Sequence, residues 1–176
     1  MNRRNFLPLA ATPVKVRRTK SGQSRLVMDD FRQVVSPRQG YALEDLVVGM
    51  SASYFHTLTE ADVIDFADLT GDHNPLHLDE AFAKKTRFKG RITHGMLTAA
   101  FLSTAVAIMP GPGTIYLSQS LSFRAPVRIG DTVEAQVTVT EIDAAKKRVK
   151  LKTVCRVGDT VVLDGEALVL VPSRKA

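Results

Sequence analysis

A single cysteine, Cys155, among 176 residues leaves no intrachain disulfide framework. Its neighbours alternate as a strand, so it reads as a buried structural thiol rather than a nucleophile. No cysteine cluster and no His-Glu-x-x-His pattern offers a metal site, so neither a metal nor a cofactor is expected. No Gly-rich dinucleotide fingerprint follows a strand-like segment, and there is no βαβ alternation, which argues against a doubly wound nucleotide-binding fold. Nor does any run approach the roughly 18 uninterrupted apolar residues of a membrane span. The nearest stretch, Met96 to Met109, is short and carries Thr98, Ser103 and Thr104.

Acidic residues are scarce at one end only. The first forty residues hold nine Lys or Arg against two acids, leaving fifteen bases against sixteen acids in the remainder. The formal charge of +6 therefore belongs to the leader, and the rest of the chain has no field that would draw nucleic acid. With Pro8, Pro13, Pro37 and no clear period, residues 1–40 read as a basic, flexible N-terminal extension. The first twenty contain six bases and no acid, which fits a bacterial cytoplasmic tail and leaves mitochondrial-matrix targeting as the alternative. Residues 41–176, in a chain with 44% apolar and 24% charged residues, read as one folded domain.

Within that domain Ser51–Leu58 can form a first strand ended by Thr59, which with Asp62 three residues on resembles a capping box. Val63, Ile64, Phe66 and Ala67 then fall at helical spacing, and Gly71 can end the helix in the left-handed region. Pro75 prevents a simple continuation, while Asn74 favours a turn. Asp79 can cap a short helix carrying Ala81 and Phe82, and Thr86–Arg91 is a basic connector. Residues 94–109 form a helical candidate with apolar groups on nearly every side, which requires cover all round; Pro110–Gly113 terminates it.

Four strand-like segments follow, with faces Ile115/Leu117/Leu121/Phe123, Val133/Ala135/Val137/Val139, Val149/Leu151/Thr153/Cys155/Val157 and Val161/Leu163/Ala167/Val169. Gly130-Asp131 and Gly158-Asp159 supply turns. Lys150, Lys152 and Arg156 fall on the opposite, solvated side of the third. One arrangement satisfies this order: an α+β fold in which a curved antiparallel sheet wraps a long central helix. Its edges invite pairing with a second copy.

The chemistry-bearing residues are concentrated. Three of the four histidines lie in Gly71-Asp72-His73-Asn74-Pro75-Leu76-His77 and in Thr93-His94-Gly95-Met96. Read from the residues alone, Asp72 after Gly71 is also an ordinary turn residue, and His77 a satisfied structural histidine. The stretches Phe66–His77, Ile92–Leu97 and Ile115–Phe123, taken together, resemble the hot-dog-fold MaoC-like hydratases, particularly (R)-specific enoyl-CoA hydratases. The resemblance covers about residues 50 to 171 and leaves the first forty without a role.

It implies a hot-dog fold, commonly a homodimer with a continuous sheet. It also implies reversible hydration of trans-2-enoyl-CoA to (R)-3-hydroxyacyl-CoA, in fatty-acid metabolism or polyhydroxyalkanoate precursor supply. On that resemblance Asp72 and His77 are the catalytic pair, and the N–H of Gly95 meets the thioester oxygen. Asn74, His94 and Ser103 are candidate supports, with Asn74 ordering the turn, His94 shaping the junction, and Ser103 bonding within the wall or to its own helix. Arg87, Lys89 and Arg91 are candidate contacts for coenzyme A phosphates, an ordinary solvated loop being the alternative. Other readings are an acyl-carrier-protein dehydratase, thioester hydrolysis on the same fold class, and a non-catalytic acyl-thioester-binding homodimer.

Overall fold

The computed structural model describes residues 16–18, 24–27 and 40–175. Most of the leader, and with it the expectation of a flexible extension, lies outside the described residues. Two of its segments, β1 (Val16–Arg18) and β2 (Ser24–Val27), pair with each other, and β2 runs parallel to the edge of β3 (Ser51–Thr57).

The hydrophobic patterning generates the core directly. Strands β4 (Ile115–Phe123), β5 (Thr132–Asp143), β6 (Arg148–Val157) and β7 (Thr160–Leu170) join β3 in the order β3-β5-β6-β7-β4, every neighbour antiparallel. Val133, Ala135, Val137 and Val139 of β5, with Val149, Leu151 and Cys155 of β6, are buried on the inner face. Helix α4 (Gly95–Ile108) lies against β3, β5 and β6 and buries Leu97, Ala99, Leu102, Ala105 and Val106 there. No described helix is long and apolar enough to cross a membrane.

Three details depart from the simple periods. A register shift between Cys155 and Arg156 changes the parity of β7, so Val162 is buried beside Leu163 while Val161 is only partly covered. β4 closes one end of the sheet, and its apolar face is not core within one chain: Ile115, Leu117 and Phe123 are exposed, with a further shift between Tyr116 and Ser118. Within one chain, cover for α4 stops short on one face. Met96, Ala100, Ser103 and Ala107, spaced at i, i+4, i+7 and i+11, are exposed. Three of these four are small, so the apolar area forfeited there is modest.

The helices before α4 bring the site together. Helix α1 (Glu60–Thr70) starts in a complete capping box: Thr59 N–H donates to Asp62 Oδ2 at 2.7 Å, and Asp62 N–H donates to Thr59 Oγ1 at 3.2 Å. It ends at Gly71, whose φ of 77° is open to glycine without Cβ strain. Asn74 Oδ1 then accepts from Leu76 N–H at 3.0 Å and starts the single turn α2 (Pro75–Leu78). Asp79 caps α3 (Glu80–Ala83), where Ala83 is the buried residue and Phe82 stays exposed.

Candidate active site

Asp72 follows the glycine that ends α1, and His77 is the third residue of the single turn that Pro75 starts, so a sharp bend folds the acid and the imidazole toward the start of α4. Asp72 is half exposed at 54%, whereas His77 and His94 are 9% and 2% exposed. Ligand-type atoms of the three residues all lie within 4.8 Å of one another. The turn restrains the acid through its own backbone, because Asn74 N–H donates to Asp72 Oδ1 at 3.3 Å.

Hydrogen-bond partners assign both imidazole tautomers. His77 Nδ1 lies 2.8 Å from the Ile92 carbonyl oxygen. A carbonyl only accepts, so Nδ1 carries the proton and a neutral His77 presents a bare Nε2 lone pair. His94 Nε2 lies 3.0 Å from the backbone carbonyl of Asp72 and is likewise the donor, with the Asp72 Oδ2 atom 4.0 Å away. The His94 ring faces His77 at 3.9 Å between centroids and packs on Phe66 at 5.1 Å. His94 thus holds the Asp72 backbone with its edge and the His77 ring with its face. Burial is the main cause that pulls His77 below its ordinary 6.5; the Ile92 bond opposes it, and neighbouring His94 reinforces it.

Gly95 opens α4, whose first amides have no intrahelical acceptors. His94, at the N-cap, makes no side-chain cap to them. This end therefore presents N–H donors and the positive end of the helix dipole next to Asp72 and His77. Three polar atoms buried around it, Thr93 Oγ1, His94 Nδ1 and Thr98 Oγ1, have no hydrogen-bond partner.

As a metal site the cluster is poorly formed. Its donor atoms span up to 4.8 Å, against about 3.3 Å between ligands of a tetrahedral zinc ion with 2.0–2.1 Å bonds. One of its nitrogens is already a donor to a carbonyl. Acid-base chemistry on a small molecule suits it better: a carboxylate and a neutral imidazole share one space, with backbone donors beside them.

The other sequence candidates separate. Asn74 orders the turn, as expected. His73 faces outward, 3.9 Å from Asp68. Ser103 lies eight residues along α4 from Gly95, about 12 Å of helix rise, on the exposed face and outside the cluster. Arg91 is committed within the fold: its Nε donates to the His77 carbonyl at 2.6 Å and its Nη2 to Glu60 Oε1 at 2.8 Å, tying α2 to α1. Arg87 and Lys89 remain exposed on the connector.

Sequence reasoning missed three contributors. Ile92 orients His77 through a carbonyl, which every residue type possesses, so its identity carries no signal. Arg128 donates to the Phe88 and Arg91 carbonyls and closes the connector, a contact made across 40 and 37 residues. Phe66, the platform under His94, looked like one more apolar residue of the α1 stripe.

Comparison with known proteins places the chain in a family. The sequence model described as "MaoC like domain" matches residues 49–162. The chain is 50% identical to a 3-hydroxybutyryl-CoA dehydratase of Methylorubrum extorquens over 133 residues, 75% of this chain and 85% of the relative. It is 52% identical to an (R)-specific enoyl-CoA hydratase of Rhodospirillum rubrum over 132 residues, covering 74% and 92%. Among solved structures, the unliganded R-hydratase PhaJ1 of Pseudomonas aeruginosa superposes with a TM-score of 0.73 at 43% identity, covering 77% of this chain and 88% of that one.

Proposed function

The chain belongs to the MaoC-like hot-dog hydratases and is a carbon–oxygen lyase of the (R)-specific enoyl-CoA hydratase type, and we propose that Asp72 and His77 carry its chemistry while Gly95 receives the thioester oxygen. CoA thioesters are its substrates. The observation that carries the assignment is the fixed tautomer of His77. Its Nδ1–H is held by Ile92, so Nε2 opens as an acceptor in the space it shares with the Asp72 carboxylate.

A water placed there directs one O–H to Asp72 and the other to His77 Nε2. As its oxygen bonds to C3 of the enoyl group, Asp72 accepts a proton and the C2=C3 pair moves toward the thioester. Charge growing on the thioester oxygen is met by the Gly95 N–H at the start of α4. Collapse returns the pair to C2, which takes the proton from Asp72 directly or through His77. Dehydration runs the same steps in reverse. Because acid and imidazole stand on one turn, water reaches one face of the planar substrate, which gives one product hand.

The remaining roles follow from where each residue sits. His94 is a positioning residue, and Asn74 fixes the carboxylate's loop. Arg87 and Lys89 suit the coenzyme phosphates, with Arg91 bracing the site from behind. Ser103 is a wall residue for longer acyl chains that extend along the exposed face of α4. A second copy of the chain is the proposed cover for that face and for β4, whose outer ladder has no strand beside it among the described residues. Residues 1–40 are proposed as an appendage to the hydratase domain, and the bacterial cytoplasm as the working compartment.

Incubating the purified protein with crotonyl-CoA and resolving the product on a chiral column tests the reading. (R)-3-hydroxybutyryl-CoA is expected; the (S) product, or no conversion across several acyl lengths, would overturn it. A parallel arm with acyl-carrier-protein thioesters tests the carrier preference.

A further inference from the structure

Gly95 has a neighbour that the chemistry above does not use. A Cβ built on Gly95 would lie 2.8, 2.9 and 3.4 Å from Cε1, Cδ1 and Cζ of Phe123. The ring of the last residue of β4 therefore rests directly on the first residue of α4, so close that a side chain at 95 would have to displace it. Phe123 is 55% exposed, so filling the core does not explain its placement. In a helix the Cα–Cβ direction tilts toward the N-terminus. A ring standing at that spot borders the outer rim of the α4 start, beside the amide proposed to receive the thioester oxygen. Asp72 and His77 approach the same end through His94.

We propose that Phe123 is a positioning and specificity residue, the flat apolar wall against which the conjugated enoyl thioester lies while Asp72 and His77 deliver water. The inference rests on the hydratase reading and on Gly95 as the thioester donor. An enoyl thioester is planar from its carbonyl through C3 and presents a continuous π face, which an aromatic ring contacts over its full area. The 3-hydroxyacyl thioester is tetrahedral at C2 and C3 and meets the same ring less well. The transition state still carries a planar, enolate-like thioester. Phe123 thus favours the enoyl substrate and the transition state over the hydroxyacyl product.

That preference has a kinetic signature that mere packing would lack. The overall equilibrium constant is fixed, so any Phe123 variant lowers kcat/KM by the same factor in both directions. For Phe123→Ala the expected factor is about 3- to 10-fold, from the strength of aromatic contacts. In hydration the loss falls mainly on KM for crotonyl-CoA. In dehydration it falls mainly on kcat, with KM for (R)-3-hydroxybutyryl-CoA little changed. Phe123→Leu, which retains an apolar side chain but no π face, is expected to show the same split with smaller amplitude.

The experiment measures both directions for the full-length wild type and both variants, with thermal unfolding alongside. Wild-type conversion of crotonyl-CoA to the (R) product secures the hydratase reading on its own. An inactive wild type overturns that reading and the role of Phe123 together. With an active wild type, equal KM increases in the two directions overturn the positioning role alone. Unchanged kinetics, or loss that tracks a lowered unfolding temperature, overturn it as well.

Discussion

The two longest helices begin in opposite ways. At the start of α1, Thr59 and Asp62 bind each other's backbone amides, and His56 adds a bond to Asp62 Oδ2 at 3.0 Å. At the start of α4 the N-cap residue makes no side-chain hydrogen bond to the first amides, and its ring turns instead to Asp72 and His77. A side-chain cap stabilises a helix by about 1 kcal/mol, and α4 forgoes it. The structure therefore places local stability where no ligand must enter. It leaves backbone donors uncapped at the end where the thioester oxygen is proposed to bind.

The largest effects should come from the chemistry gathered at the uncapped end. Asp72→Asn and His77→Gln are each expected to lower kcat for crotonyl-CoA hydration by about 10²- to 10⁴-fold, the usual scale for a lost general acid or base. Unfolding temperature should change little for Asp72→Asn, because that side chain is half exposed. Near-normal turnover in both variants would erase the functional half of the contrast and leave the α4 start merely uncapped.

The capped end was legible in sequence and much of the uncapped end was not. Thr59 and Asp62 stand three residues apart, and Gly71 and Pro75 mark the boundaries that follow, so local rules suffice for α1 and the turn. Clustering of uncommon residues drew attention to the Asp72–His77 stretch and to His94-Gly95, but the roles given to Asp72, His77 and Gly95 are what the resemblance to the hydratase family implies. What could not be read was how the parts meet. The His94 bond to the Asp72 carbonyl spans 22 residues and the Arg91 bond to Glu60 spans 31, and no local period encodes either. The exposed rows of α4 and β4 were not legible for a related reason. Periodicity tells which residues share a face, but not whether anything stands opposite that face.

Removing the cap tests the other side of the contrast with a smaller effect. Thr59→Ala deletes the Oγ1 acceptor for Asp62 N–H and should lower stability by about 1 kcal/mol. For a domain of this size that corresponds to roughly 2–4 °C in Tm. Measured well below Tm, kcat should match the wild type. A fall in kcat out of proportion to stability would mean that the cap communicates with the active site, and the division between the two helix starts would fail.

The smallest effect separates the two ends by pH. His77 has a folded-state pKa below 6.5, chiefly because it is buried, so between that value and 6.5 the unfolded chain holds a proton that the folded chain lacks. Its contribution to stability is therefore full above about pH 6.5 and declines as pH falls through this window. Asp62 behaves differently. Burial pushes its carboxyl upward, but the bonds from Thr59 and His56 prevail and hold it below 3.8. Its contribution is present above 3.8 and lost only as pH falls further, through its folded value. Acidification should thus reach the α4 end first and the α1 cap later. Urea unfolding at pH 7.5 and 5.5 should give a slightly lower midpoint at the lower pH for the wild type. The slope across that interval should shrink in His77→Gln and persist in Thr59→Ala. The acid limb of kcat/KM should fall below pH 6.5 while circular dichroism stays native, because His77 loses its acceptor lone pair before the fold gives way. An unchanged slope in His77→Gln would assign the titration to another group and remove the pH distinction between the two helix starts.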